Sequence, residues 1–334
     1  MKKTIILLLA LLVIFGLSAC GGTATPQADT PAEDASTVPQ EFHIGVLNGA
    51  TGLSAAWFME ESAQGNTFDT YHFEVATAPD QVVSMLLSGQ ADIVALPTNV
   101  AATLYQRTNG EVQMLAITTL GVLHILENGD NVTEVAHLQG RTIHTTGEGA
   151  NPEFVLNHVL VEHGLTPGVD VFIEFHPNEA LASLMASGEI DLAMVPEPMA
   201  SSILMQNGDV RRVIDMTEAW QAIGDGSQLM MSTFVAQRSF IEENTQGVLR
   251  FLALLEKSID NTNTNPQEVG ELVAQFGILP NATIATAAIA GCNLVFVSGS
   301  HMEGAIMGYF EALYQADPQS VGGALPSGNI FFEN

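Results

Sequence analysis

The feature that most constrains this chain is a segment that occurs twice. Residues 78–102 read APDQVVSMLLSGQADIVALPTNVAA and residues 177–201 read PNEALASLMASGEIDLAMVPEPMAS. They align without a gap at an offset of 99 residues, with Ser84/Ser183, Ser88/Ser187, Gly89/Gly188, Asp92/Asp191, Pro97/Pro196 and Ala101/Ala200 identical. Each copy carries the same local physics. Asp80 or Glu179 stands near a helix start, where the positive end of the dipole favours a carboxylate. Val82, Val83, Leu86 and Leu87 in one copy, and Leu181, Leu184 and Met185 in the other, recur at helical spacing. Gly89 or Gly188 suits a left-handed cap. A short apolar strand follows, 93–96 or 192–195, and proline stops it at its carboxyl end.

A strand is expected before each copy, over 71–75 and 171–175, and another further upstream, over 42–47 and 142–144. The upstream strands run into Gly-rich turns, Asn48-Gly49-Ala50-Thr51-Gly52 and Thr145-Thr146-Gly147-Glu148-Gly149, and then into helices. Each half therefore reads β, Gly turn, α, β, α, β, which implies α/β architecture with an open parallel sheet covered on both faces. Ligands of such sheets bind beyond the carboxyl ends of the strands. Two duplicated halves facing each other would place both Gly turns and both proline turns around one cleft.

Those turns supply the candidate binding groups. Backbone N–H groups at the head of a helix suit a polar or negative ligand atom, and Asn48, Thr51, Ser54, Thr145 and Thr146 add side-chain donors. The bland alternative is a tight strand-to-helix turn. Pro97, Thr98, Asn99 and Glu197 sit at the ends of the repeated strands. Glu197 lies between Pro196 and Pro198; as a buried, unpaired carboxylate it would favour a cationic or amine-bearing solute or a protonated state, and otherwise it is a solvated rim acid. Trp57 and Phe58 offer flat faces for stacking, with core packing the alternative, preferred for at least one of them.

Charge narrows the ligand. The chain has 9 Lys+Arg against 37 Asp+Glu, a formal charge of -28, which excludes nucleic acid as a partner because phosphate neutralisation needs clustered cations. None of the arginines (Arg107, Arg141, Arg211, Arg212, Arg238 and Arg250) falls in a Gly turn. That favours a neutral, zwitterionic or heterocyclic solute over a strong anion. No HExxH, no His/Cys/Asp ligand spacing and no GxSxG elbow is present, so no metal, cofactor or catalytic residue is expected. Cys292 has no local partner motif and reads as an inert buried thiol.

The first residues have a different character. Met1-Lys2-Lys3 precedes an apolar run over 4–17, and Ser18-Ala19 then precede Cys20. Small residues there suit a signal cleavage site, and Cys20 resembles the lipidated cysteine of a bacterial lipobox. Residues 1–19 are read as a signal peptide and 20–40 as lipidated Cys20 with a flexible tether rich in Gly, Pro, Ala and Thr.

Taken in order, the lipobox, IGVLNGATG (44–52), SGQADIVALPTNVAA (88–102), LAITTLGVLHILENG (115–129), LQGRTIHTTGEGANPEFVLNHVL (138–160), SGEIDLAMVPEP (187–198) and GCNLVFVSG (291–299) resemble a solute-binding lipoprotein of an ABC importer. The chain is most similar to the group associated with nitrate, sulfonate, taurine and thiamine-precursor uptake, the NMT1/THI5-like proteins. The resemblance implies a periplasmic-binding-protein type II-like fold, two α/β lobes joined by two crossing strands with solute held between them. Lobe one is then 41–119 plus 237–334 and lobe two 120–236, with hinge strands near 117–125 and 229–236. Thr119, in the first crossing segment, joins the expected solute contacts. The C-terminal part reads as helical over 240–259, 267–276 and 302–314 and is expected to pack on lobe one. The implied function is non-enzymatic: a monomeric, extracytoplasmic, lipid-anchored receptor that captures a small polar or heterocyclic solute and delivers it to a membrane permease. An enzyme of thiamine-pyrimidine type needs a cysteine-rich motif that Cys292, the one cysteine left besides lipidated Cys20, cannot supply. A solute sensor stays open as an alternative.

Overall fold

The computed structural model describes residues 38–333. The expected signal peptide, the expected lipidation site Cys20 and the expected tether, as far as residue 37, lie outside the described residues. No helix among the described residues is long and apolar enough to cross a membrane.

The first half runs β1 (Glu41–Leu47), α1 (Ala50–Leu53), α2 (Ala56–Ala63), β2 (Thr70–Ala76), α3 (Pro79–Ser88), β3 (Ile93–Pro97), α4 (Thr98–Arg107) and β4 (Val112–Thr119). The chain continues through β5 (Leu123–Asn128), β6 (Thr142–Thr145), α5 (Asn151–Glu162), β7 (Phe172–Phe175), α6 (Asn178–Ser187), β8 (Leu192–Pro196), α7 (Met199–Gln206), β9 (Val210–Asp215) and α8 (Met216–Gln221). It ends with β10 (Ser232–Gln237), α9 (Arg238–Glu243), α10 (Thr245–Thr264), α11 (Pro266–Gln275), α12 (Ala282–Ile289), β11 (Leu294–Ser298) and α13 (His301–Ala316).

The repeat is structural to the residue. α3 and β3 carry over onto α6 and β8 at the same offset of 99 that aligns the sequences. Gly89 and Gly188 both cap their helices in the left-handed region, at φ 73° and 75°. A side chain there would strain the backbone, which is why both copies keep glycine.

Two sheets result, in the orders β11-β4-β10-β3-β1-β2 and β7-β6-β8-β5-β9. Read from β2 and from β7, the five shared positions match: β2/β7, β1/β6, β3/β8, β10/β5 and β4/β9. Only three strands in each run parallel as neighbours; β10 lies antiparallel between β3 and β4, and β5 antiparallel between β8 and β9. The expectation of a purely parallel sheet is corrected here. A strand that enters one half from the other starts at the edge where its neighbours end, so it must run opposite to them.

Alternation places the cores. Val94 and Leu96 point to one face of the first sheet with Met114, Ile117 and Val235, while Ile93 and Ala95 point to the other with Phe42, Ile44 and Phe234. The second face is covered by Phe58, Phe251, Val269 and Ile289 from α2, α10, α11 and α12. Gly45 allows α3 to approach β1: a Cβ there would meet Val94 Cγ1 at 3.0 Å and Val82 Cγ1 at 3.3 Å. The repeat holds in burial too: Val82 and Leu86 are buried in one copy and Leu181 and Met185 at the matching positions of the other, while Leu87 is exposed.

One apolar cluster runs through both halves. It joins Leu96 and Met114 of the first sheet to Ile143, Val155 and Met194 of the second, with Ile306, Tyr309 and Leu313 of α13 in the same cluster. The C-terminal helix thus packs on α5 as well as on β11, and is not confined to the first half. Sequence periodicity locates α13 but cannot assign its partner, because its apolar residues serve two faces.

Candidate functional site

The tips of the first sheet form a row. Ser232, the first residue of β10, pairs in register with Pro97 on one side and Thr119 on the other. Thr98 is fully buried; its N–H donates to Met231 O and its hydroxyl to Met230 O at 2.6 Å. Thr119 is also buried, with its hydroxyl 2.6 Å from Ser232 Oγ, and Thr118 Oγ1 lies 3.0 Å from the same atom. The structure therefore brings Pro97, Thr98 and Thr119 together, with both threonine hydroxyls engaged by the protein. Asn99, in the first turn of α4, and Pro97 remain partly exposed.

The Gly turns are also partly engaged. In the first, Asn48 N–H donates to Ala76 O, Gly49 N–H to Ile278 O and Gly52 N–H to Gly49 O. Ala50 and Thr51 head α1, where helix geometry provides no acceptor, and both are half-buried. Ser54, whose hydroxyl donates to Thr51 O, is buried. Trp57 is half-buried against the core and Phe58 is fully buried in it, so Phe58 is a packing residue. In the second turn Thr145 is buried with its hydroxyl donating to Met194 O, Thr146 is buried, Gly147 is half-buried, and Glu148 and Gly149 are exposed. Gly149 N–H is taken by Glu153 Oε2 at 2.6 Å.

Glu197 departs from both sequence readings. It is neither a solvated rim acid nor an unpaired buried carboxylate: it is buried, and Arg212 of β9 forms an ion pair with it. Ser201, in the first turn of α7, adds its N–H and hydroxyl. Burial still pushes the Glu197 carboxyl above its usual range, against the pull of Arg212 and Ser201. A cationic solute is not needed to satisfy this carboxylate.

His124 of β5 completes a buried polar junction at the same edge. Its Nε2 lies 2.8 Å from Gly291 O, an acceptor only, so Nε2 carries the proton and donates. Nδ1 then presents a lone pair 3.6 Å from Asp215 Oδ2. Burial first, and Arg212 second, hold the imidazole below its ordinary pKa. Asn293, two residues beyond Gly291, donates to Gly121 O at 2.8 Å. A Cβ on Gly291 would run into the Glu197–Arg212 pair. The segment 291–293, which leads into β11 of the first sheet, is thereby fastened to β5 and β9 of the second and packed against Glu197 just beyond β8. Neighbouring Cys292 is buried, and burial, with Glu197 nearby, pushes its thiol well up.

The other arginines explain how so acidic a chain tolerates buried acids. Arg250 pairs with Asp69, and Arg211 and Arg141 with Glu127, whose carboxylate also accepts N–H from Asn131 and Val132. These cations are structural partners, and none stands at a Gly turn.

Sequence reasoning missed Arg212, His124 and the trio His144, Glu174 and His176, whose ligand atoms converge in space. The His-x-Glu-x-His alternation that would reveal the trio is split between strands some thirty residues apart, and only their register joins it.

Known proteins match this arrangement. The fold resembles that of an ABC transporter protein from Parabacteroides distasonis, at 20% identity and TM-score 0.72 over 89% of this chain and 99% of that one. It also resembles the periplasmic aliphatic sulphonate binding protein SsuA of Escherichia coli, at 18% identity and TM-score 0.66 over 87% and 96%. This establishes a periplasmic binding protein fold. A Brucella abortus binding protein is 24% identical over 191 residues, 57% of this chain and 58% of the relative. The match therefore spans less than two thirds of that relative's length. The NMT1/THI5-like family model matches residues 74–269, from β2 through both repeats and the crossing strands to α11. With the twin sheets and that match covering more than half of the sequence, the chain belongs to the NMT1/THI5-like family.

Proposed function

We propose that this protein is the extracytoplasmic solute-binding component of an ABC importer. It captures a small polar or heterocyclic solute between lobe one (41–119 with 237–334) and lobe two (120–236) and delivers it to a membrane permease. The hinge lies near 117–125 and 229–236, and closure is driven by contacts made only in the closed arrangement. A lipid on Cys20 tethers the monomer to the membrane face, and no bond is made or broken in the solute.

The observation that carries this reading is the matched strand order of the two sheets, with a strand exchanged in each direction. Both sheets then turn the carboxyl ends of their parallel strands toward the crossing segments, the edge where α/β sheets bind ligands. Asn48, Gly49, Ala50, Thr51 and Gly52 contact the solute from one side, and Gly147, Glu148 and Gly149 from the other. Pro97, Asn99 and Trp57 are rim contacts. Thr98, Thr119, Thr145, Thr146 and Glu197 shape the floor through their internal bonds.

Solute class follows from charge. The Escherichia coli neighbour is a sulphonate-binding protein, and one from Xanthomonas axonopodis was solved bound to MOPS. Here Arg141, Arg211, Arg212 and Arg250 are paired with buried acids and no arginine falls in a Gly turn, which supports a neutral, zwitterionic or heterocyclic solute. The test is a thermal-shift screen of the purified chain against alkanesulfonates, zwitterionic amines and pyrimidines, with product analysis alongside. A solute at a hundredfold its dissociation constant adds about 2.7 kcal/mol. Thr51→Val and Asn48→Ala should each weaken that shift without altering the free protein's melting. Turnover of a compound, or an unchanged shift in both variants, would overturn the function or the site respectively.

A further inference from the structure

His144 and Glu174 are register partners on the parallel strands β6 and β7, so their side chains leave the same face of the sheet. His176 follows the end of β7, and its N–H donates to Thr145 O at 2.9 Å, carrying the ladder one step further. The three side chains converge. His144 Nδ1 lies 2.9 Å from His176 Nε2 and 3.5 Å from Glu174 Oε2, and one ligand atom from each residue falls within 4.8 Å of the other two.

A network of protein hydrogen bonds alone satisfies this arrangement poorly. With a lone pair on Nδ1, His144 can accept from His176 Nε2–H, but the Glu174 carboxylate beside it then receives no proton from either ring atom. With a proton on Nδ1, His144 must divide that proton between an imidazole nitrogen and a carboxylate. A cation at the shared point satisfies all three groups. The spacing suits a metal: bonds near 2.1 Å in a tetrahedral zinc site put ligand atoms about 3.4 Å apart, between the two distances found. Two imidazoles with one carboxylate form a donor set for zinc-class ions rather than for calcium or magnesium. The site is reachable, because β7 is the edge strand and the Glu174 side chain is 60% exposed.

We propose that His144, Glu174 and His176 bind one divalent transition-metal ion of the zinc class at the edge of the second sheet. The ion is held by strand register, and a further position is open to solvent. This site does not depend on the solute-binding reading.

The test uses the full-length chain carrying Cys20→Ala, which removes one thiol as a competing ligand. Zn2+ titration by calorimetry should give one saturable site, and Co2+ should give a visible d–d band that Zn2+ abolishes. His144→Ala and His176→Gln should each weaken Zn2+ binding by at least roughly a hundredfold, the upper end of the loss when only a residue hydrogen-bonded to a ligand is removed. Glu174→Gln, at a largely exposed carboxylate, should weaken it at least roughly tenfold. His43→Ala/His72→Ala removes the stacked histidine pair of the first sheet and should leave binding unchanged. Absence of saturable binding, retention in Glu174→Gln and His176→Gln, or loss in the His43/His72 variant would each overturn the assignment.

Discussion

Tyr309 Oη donates to Asn151 Oδ1 at 2.8 Å, joining the C-terminal helix to the first residue of α5. Tyr309 is fully buried, with its ring edge-on to Trp220 at 5.7 Å, and burial raises its hydroxyl pKa beyond any physiological range. The second Gly turn is therefore anchored from behind by a residue more than 150 positions away. Tyr309→Phe keeps the ring and removes the donor. We expect a loss of about 1 kcal/mol in urea unfolding, the typical worth of one such bond.

Arg212 and Glu197 should behave as a unit. Arg212→Met strands a buried carboxylate and should cost about 3–5 kcal/mol. Adding Glu197→Gln should restore much of that loss, which a double-mutant cycle would read directly. Gly291→Ala should mimic part of the single-variant damage by wedging a methyl group into the pair. Additive losses from Arg212→Met and Glu197→Gln would contradict the coupling.

His124 gives the fold a sensitivity to mild acid. Its folded pKa is depressed, so the unfolded chain binds the proton first as pH falls. Its contribution to stability is complete above about pH 6.5, the ordinary histidine value, and is lost as pH drops below that. Glu197 acts oppositely: its raised pKa makes its own contribution largest in acid and smaller as pH rises past the ordinary carboxylate value. Urea midpoints measured against pH should show the acid-side slope flatten in His124→Gln, while Glu197→Gln should remove the opposing trend.

The duplicated caps offer an internal control. Gly89→Ala and Gly188→Ala each force alanine to a positive φ and should each cost about 1 kcal/mol. No atom lies within 4 Å of a Cβ at Gly89, whereas at Gly188 it would meet Asn128 Nδ2 at 3.0 Å. Thermal unfolding should therefore place Gly188→Ala at or below Gly89→Ala.

Cys292 should be silent toward thiol reagents. In a Cys20→Ala chain, the native protein should react with Ellman's reagent only as fast as it unfolds, because the buried thiol ionises reluctantly. Fast labelling under native conditions would show that the junction around Gly291 opens readily.

The repeated α–turn–β unit was readable from its glycine, proline and helical spacing because every determinant lies within 25 residues. The twin Gly turns and the strands leading into them were readable for the same reason. The antiparallel fourth strands were not, since apolar runs such as 232–237 state a strand but not its direction. α12 and β11 escaped because the small apolar residues of 282–297 fit helix and strand periods equally. Of the candidate site, the position of the turns was legible. The use of Thr98 and Thr119 within the protein, and the pairing of Glu197 with Arg212, were not. Such contacts depend on which strands become neighbours, and a local pattern does not encode that.

The exchange of strands has a consequence for biosynthesis. β10 occupies the middle of the first sheet, yet it leaves the ribosome after every strand of the second sheet has been made. β3 and β4 must wait, separated by a missing neighbour, while residues 123–215 assemble their own complete sheet. The half that begins first in the chain is thus finished last, and a nascent chain stopped before residue 232 would hold one closed sheet and one with its centre absent.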